Sequence, residues 1–522
     1  MTVQTKQQVI VPPSDPQEDP LAYSERLSAW YSAQASDAHR KNLGIYFTPA
    51  AIARHMGGLC RNGTGHFVRL LDPAAGTGIL GCAAGLALSA SARAPRHIEL
   101  VCHEIDPDLR ALLQSSLRHL GHWLARRRIK LRFRIESADF LIGNATSLAK
   151  DLLTTDGQTF DAVICNPPYF KISKSDPRAR ACLTVVHGQP NIYGLFMAVG
   201  ASLLREGGRL VFITPRSYAS GPYFQRFREF FFERIRPTDI HVFESRTDAF
   251  SDVLQEAAIT AGTRLHGWDK RSAGQRIRLS SSAGAADIES SAVRTLPLGE
   301  VLQGECRHRV LSFPASKQHD RVTALVRQWS GSLQAYGWQV STGPVVAFRA
   351  NQFLRDKGLR HTVPLLWLQN IGPMTVRWPA TTRKAQHIVA TEETSAIILP
   401  NRNYVVLRRF SAKEEKRRLT AAPLLAKFLK HNKLGLENHL NFIHKPGGQL
   451  TTDETYGLAA ILSSELFDTY FRISSGNTQV SATELRAMRL PSLVAISRIG
   501  NRVRMAPAEL EAIVCQELGY GG

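Results

Sequence analysis

The sequence predicts an α/β fold: a doubly wound, mostly parallel sheet followed by a C-terminal α+β domain. Three observations carry this. Between residues 43 and 265 short apolar segments alternate with helical ones, the pattern of parallel strands joined by crossover helices. A glycine-rich turn follows the first of these segments. Beyond about residue 300 the alternation stops and basic residues accumulate.

Taken in order, residues 1–20 are polar and Pro-rich and are expected to form a loose tail. Residues 21–42 show helical spacing. Six segments read as strands: FVRLLDP (67–73), HIELVCHEI (97–105), LRFRIESAD (131–139), FDAVICNPP (160–168), GRLVFITP (208–215) and DIHVFES (239–245). Between them GILGCAAGLALSASA, PDLRALLQSSLRHLGHWL, NIYGLFMAVGASLLREG and YFQRFREFFFERI read as helices. The Ser/Ala-rich, apolar-poor stretch SSSAGAADIESSA (280–292) reads as a linker. The expected organisation is therefore a tail and helix over 1–40, a sheet domain over 41–270, a linker over 271–299 and a second domain over 300–522.

Composition narrows the class. The chain has 522 residues, 43% of them hydrophobic, which excludes general disorder and allows each domain its own core. Seven scattered cysteines without CxxC spacing argue against a disulfide framework or a zinc knuckle, and no metal site is expected. The N-terminus lacks the apolar run of a signal peptide, and no stretch approaches the ~20 apolar residues that span a bilayer. A cytoplasmic protein with no membrane partner is expected. Lys+Arg number 65 against 44 Asp+Glu, a net +21. Residues 1–260 carry +6 of it and residues 261–522 carry +15, so a polyanion-binding second half is expected.

The chemistry-bearing motifs lie at strand ends. Asp72-Pro73-Ala74-Ala75-Gly76-Thr77-Gly78 ends the first strand and opens a helix. Glycines there let the backbone approach a ligand, and the helix N-terminus offers free N–H groups. The loop matches neither GxGxxG nor GxxxxGK[ST]. Glu104 ends the second strand, where a carboxylate can accept both hydroxyls of a ribose; Asp139 ends the third and can accept from an adenine amine. Together they describe an adenosine-shaped site. The fourth strand ends Asn166-Pro167-Pro168-Tyr169. Two prolines fix the chain and remove donors, leaving the Asn side-chain oxygen and a Pro carbonyl as acceptors for an NH₂ group. Those bonds would localise the amine's lone pair, and the Tyr169 ring would stack on its base.

These motifs, in this order, resemble the N6-adenine DNA methyltransferases of type II restriction–modification systems, in the gamma-class arrangement. The resemblance is clear over residues 40–265 and implies a Rossmann-like, S-adenosylmethionine-dependent catalytic domain over 41–270. By it, GIYFTPAAIARHM (44–56) precedes the cofactor loop, and Thr48 and Pro49 border the cofactor's methionine end. Asp72, Ala74, Gly76 and Gly78 form the S-adenosylmethionine loop; Glu104 with Ile105 holds the ribose; Asp139 with Phe140 holds the cofactor's adenine. Asn166, Pro167 and Tyr169 are catalytic, Asn166 also bordering the cofactor, and Phe250 in DAFSDVLQEAAIT (248–260) would face Tyr169 across a flipped base.

The resemblance further implies direct transfer, in which the adenine N6 of a base flipped out of double-stranded DNA attacks the sulfonium methyl group, with no covalent enzyme intermediate. Cytosine-C5 chemistry would need a nucleophilic Cys, usually after Pro, and the chain has no Pro-Cys. Cytosine-N4 transfer, or transfer to a protein glutamine or an RNA guanine amine, stays open. Residues 300–522 are then expected to recognise the DNA target, with Arg402, Arg408, Arg409, Lys413, Lys416, Arg417 and Arg418 gripping phosphates as a group. A cognate restriction endonuclease as functional partner and a monomeric state complete the expectation.

Overall fold

The computed structural model describes residues 10–521 except 62–64, 150–158, 244–256, 268–273, 304–308, 315, 412–416 and 475–479. It divides into two compact units, Met1–Ala315 and Ser316–Gly522.

The first unit is built on a nine-stranded sheet. Its strands are β1 (Phe67–Asp72), β2 (His97–His103), β3 (Lys130–Glu136), β4 (Phe160–Cys165), β5 (Leu204–Pro215), β6 (Ile235–Phe243), β7 (Ala257–Arg264), β8 (Arg276–Ser282) and β9 (Arg294–Pro297), in the order β3-β2-β1-β4-β5-β7-β6-β8-β9. The β3-to-β5 half is all parallel, and β7 runs antiparallel between β5 and β6. The doubly wound, mostly parallel, Rossmann-like sheet expected from the alternation is present. Its apolar strands alternate between two cores. Leu71, Val101, Val163 and Leu210 face one layer. Leu70, Leu100, Ile164 and Val211 face the other.

The helices of the unit are α1 (Pro20–Gln34), α2 (Asp37–Leu43), α3 (Ala50–Leu59), α4 (Ile79–Ser89), α5 (Pro107–Ala125), α6 (Phe140–Asn144), α7 (Pro177–Ala181), α8 (Ile192–Leu203) and α9 (Gln225–Arg234). Helices α3, α4 and α5 cover one face of the sheet and α6, α8 and α9 the other, which gives the parallel half the two covered faces its apolar strands require.

Three sequence expectations differ from the structure. Of the expected loose tail, the part from residue 10 onward is held down. The Pro12 carbonyl accepts from Tyr23 (2.7 Å), Pro16 from Arg126 (2.6 Å) and Glu18 from His119 (2.7 Å). Backbone carbonyls without regular partners are thus satisfied by donors on α1, on α5 and just beyond it. Within the expected linker 271–299, the described residues supply β8 and β9. The serines that make this stretch look solvated instead hold a buried histidine: His241 bonds Ser280 and Ser282, each at 2.8 Å. Finally β3 stops at Glu136, and Asp139 caps α6, its side chain accepting from Ile142 N–H at 3.1 Å.

The second unit is α+β. A four-stranded antiparallel sheet orders Gln339–Thr342, Leu440–His444, Tyr404–Arg408 and Ala421–Leu424. A five-stranded sheet orders Leu354–Arg355, His387–Val389, Thr362–Leu366, Lys433–Leu436 and Leu399–Pro400. The helices Thr452–Ser463 and Leu493–Met505 cross so closely that only glycine fits at the contact. A Cβ on Gly457 would overlap the Ile496 carbonyl, and one on Gly500 the Asp453 carbonyl.

Candidate active site

In the first unit β1 lies between β2 and β4, and the crossovers depart in opposite directions from it, which opens a crevice at the strands' carboxyl ends. A cavity of about 310 Å³ sits there. Ala74 and Gly76 line it after β1, Glu104 and Ile105 after β2, Asp139 and Phe140 at α6, and Asn166 and Pro168 after β4.

The loop after β1 needs its glycines. Gly76 and Gly78 have φ of +55° and +91°, where a side chain is strained, and a Cβ on Gly78 would come within 2.7 Å of Leu113. The turn exposes backbone donors. Gly76 N–H donates to Glu104 Oε2 at 2.9 Å, and Asp106 N–H donates to Glu104 Oε1 at 2.9 Å. Each carboxylate oxygen is left with a lone pair toward the cavity. Burial nevertheless pushes the Glu104 carboxyl up to about 7. Asp72 beneath it is fully buried and is likewise pushed to about 7; its Oδ1 accepts from Ala74 N–H at 3.4 Å, and its Oδ2 has no hydrogen-bond partner among the described residues. A cavity lined by the carboxylates of Glu104 and Asp139 suits a ligand bearing hydroxyl or amine donors.

The helices of the N-terminus brace this loop. Ser24 and Ser28 on α1 bond the Thr77 hydroxyl at 3.1 and 2.7 Å. Tyr31 and His39 bond the Asp106 side chain at 3.2 and 2.7 Å. Asp106 in turn caps α5 through Asp108 and Leu109 N–H.

Asn166 is fixed from both sides. Its Nδ2 donates to the Tyr46 carbonyl (2.9 Å) and to Thr48 Oγ1 (3.0 Å), while its Oδ1 accepts from the Tyr169 hydroxyl. The Tyr169 hydroxyl also lies 3.0 Å from the Ile213 carbonyl, and burial pushes it well above its usual range, so it remains a donor. The Tyr169 ring stacks on Tyr46, with centroids 5.8 Å apart and planes 17° apart.

The structure thus brings Ala74, Gly76, Glu104, Ile105, Asp139, Phe140 and Asn166 to one cavity. Asp72, Gly78, Pro167 and Tyr169 do not line it. Thr48 is buried and orients Asn166, and Pro49 stands at the N-cap position of α3. Phe250 lies outside the described residues. Three groups at the cavity were not legible in the sequence. Tyr46 and Phe47 belong to a loop read only as a flank. Phe196 on α8 looks like any core aromatic. Arg178 lines the cavity while paired with Asp176 (2.7 Å) and lying 5.7 Å from the Phe170 ring; only the Asp-Pro helix start at Asp176 hinted at it.

In the second unit the expected phosphate-gripping cluster is differently employed. Arg402, Arg408 and Arg409 donate to the carbonyls of Gly448 (2.9 Å), Ile371 (2.6 Å) and Asn438 (3.1 Å). Arg417 pairs with Glu511 at 2.5 Å and bonds the Ser463 carbonyl. Arg418 is only 6% exposed. These bonds hold the guanidinium groups of Arg402, Arg408 and Arg409 against backbone carbonyls of the unit, while Arg417 is ion-paired and Arg418 is buried. Lys413 and Lys416 lie outside the described residues.

Comparison with known proteins agrees with this geometry. The Eco57I restriction-modification methylase family matches residues 114–250. The type II methyltransferase M.BsuBI of Bacillus subtilis is 32% identical over 89% of this chain and 91% of its own. M.PstI of Providencia stuartii, also a type II methyltransferase, is 31% identical over 92% of this chain and 93% of its own. Among solved structures, the type IIL restriction-modification enzyme MmeI in complex with DNA matches with a TM-score of 0.53 at 12% identity, over 97% of this chain and 75% of that one.

Proposed function

The chain belongs to the type II methyltransferases of restriction–modification systems, and from that premise we propose that it methylates N6 of an adenine flipped out of duplex DNA. S-adenosylmethionine is its cofactor and supplies an electrophilic methyl group on a sulfonium. The residues present fit that group: the carboxylates of Glu104 and Asp139 on the cavity wall and the side-chain-free approach at Gly76 favour a ligand that is rich in donors. In this reading Glu104 accepts from the ribose hydroxyls, Asp139 from the adenine amine of the cofactor, and Ile105 and Phe140 flank its ring.

One observation carries the assignment of the substrate amine. Asn166, on the cavity wall, is held by two donated bonds that point its oxygen away from Tyr46 and Thr48. That oxygen already accepts from a hydroxyl. An incoming amine hydrogen replaces the Tyr169 O–H, and the freed ring stacks on the base. The Pro167 carbonyl is the second acceptor. Two such bonds pull the N6 hydrogens toward a pyramidal amine and make its lone pair available. Biologically the enzyme protects DNA from a cognate endonuclease.

The test is to express the chain in a host whose own DNA lacks adenine methylation and to sequence the native DNA for modified bases. Methylated adenine confined to one short motif is expected. Unmodified adenine throughout, with the protein folded and binding cofactor, overturns the proposal.

A further inference from the structure

We propose that the strip Phe348–Arg360 of the second unit is a DNA-contacting surface on which the Phe348 ring stacks against an unpaired or unstacked base of the target. This rests on the reading of the chain as a DNA methyltransferase. Phe348 is 80% exposed and Leu359 is 61% exposed, unusual for large apolar side chains. The exposure is imposed by the backbone. Val345 is fully buried, and its carbonyl accepts from Asn438 N–H at 2.9 Å. Ala350 is buried too, and the N–H groups of Arg349 and Ala350 both donate to the Val346 carbonyl at 3.0 Å. Phe353 N–H then closes onto the Ala350 carbonyl at 2.9 Å. The ring is projected from a turn anchored on both sides and does not reach the core.

Its surroundings select the partner. Arg349 lies 5.4 Å from the Phe348 centroid, and Arg355, Lys357 and Arg360 follow against the single acid Asp356. Arg355 donates to the carbonyls of Gln352 and Leu354, both at 2.7 Å, so its charge is held in place and left unneutralised. A second exposed apolar pair in this unit, Val494 and Met505, lies on a helix whose arginines are paired: Arg498 and Arg502 with Glu517, and Arg504 with Asp453. Among the described residues, the 348–360 strip carries the most exposed aromatic ring, with exposed cations beside it. Exposed Asn351 and Gln352 beside it carry the amide groups that pair bidentately with adenine edges. A polyanion with planar faces matches this chemistry; a neutral or basic protein surface does not.

The experiment uses the full chain, a duplex carrying the motif found in native DNA and a duplex with that motif scrambled. Phe348→Ala should weaken the motif duplex by roughly 10- to 100-fold. Cofactor affinity should be unchanged, and Phe348→Trp should restore DNA binding. Lys357→Gln with Arg360→Gln should weaken both duplexes equally and flatten the salt dependence. Motif binding by Phe348→Ala equal to that of the unsubstituted chain overturns the inference, as does failure of Phe348→Trp to recover. If the unsubstituted chain itself neither binds nor methylates duplex DNA, the functional reading falls and this surface with it; if it does both and Phe348→Ala is indifferent, only the surface falls.

Discussion

At the scale of single residues, Asn166 explains why an amide and not an acid stands at this strand end. Its NH₂ satisfies the Tyr46 carbonyl and the Thr48 hydroxyl, and its oxygen accepts from the Tyr169 hydroxyl, which leaves it the acceptor for the amine in the proposed reading. Asn166→Asp would set a carboxylate against the Tyr46 carbonyl, so it should fail nearly as badly as Asn166→Ala. Both should cut methyl transfer by roughly 100-fold or more, by analogy with removal of one charge-stabilising group. Single-turnover rates with cofactor and DNA saturating check this; a near-normal Asn166→Asp rate would mean the donated bonds do not matter. Glu104 gives a pH signature. Its carboxyl, and that of Asp72, are raised to about 7, so ionising them costs the ligand-free fold stability as pH climbs toward 7. In the proposed reading the ionised form is the one that accepts from both ribose hydroxyls, so cofactor affinity should fall as pH drops through about 7. Glu104→Gln should flatten the titration and weaken binding at every pH, because one N–H would face the new NH₂. Calorimetric titration from pH 5 to 8 tests this; a flat profile for the unsubstituted chain contradicts it. Glu104 and Asn166 were legible because topology alone puts strand ends at the crevice, and Asp139 reaches it from the cap of α6 three residues past β3. Tyr46 and Arg178 were not, since no periodicity marks a loop residue that folds back over a site.

At the scale of elements, the central strands β1, β2 and β4 were readable from near-continuous apolar runs, as strands covered on both faces require, and the edge strand β3 from its strict alternation of charged and apolar residues. The strand β7 escaped: AAITAGTR is small and polar, and it is buried by its neighbours, not by its own hydrophobicity. The serine-rich β8 escaped likewise, since its hydroxyls serve His241. The helix α1 was read as a helix but not as the brace of the cofactor loop, because Ser24 and Ser28 look like surface serines until Thr77 meets them. In the second unit the close crossing of Thr452–Ser463 and Leu493–Met505 is set by Gly457 and Gly500. Gly500→Ala should force the helices apart and cost at least about 1–3 kcal/mol, the usual penalty of overpacking. Denaturant unfolding reads this; an unchanged midpoint would mean the helices separate freely.

At the scale of the whole molecule, the net +21 and its concentration in residues 261–522 were correct as a sum but misleading as a map. The densest basic block holds arginines that bond carbonyls and a carboxylate of their own unit. Charge density in sequence measures neither exposure nor pairing. In the sparser strip Arg349, Lys357 and Arg360 are exposed, whereas Arg402, Arg408, Arg409 and Arg417 are partly buried. The central claim concerns the first unit: its cavity joins a cofactor to an exocyclic amine held at Asn166. The most direct test incubates the intact chain with duplex DNA and S-adenosylmethionine labelled in its methyl group, then digests the DNA to nucleosides. Label in N6-methyldeoxyadenosine, abolished by Asn166→Ala, is the predicted result. Label in N4-methyldeoxycytidine, or none in DNA, would contradict it.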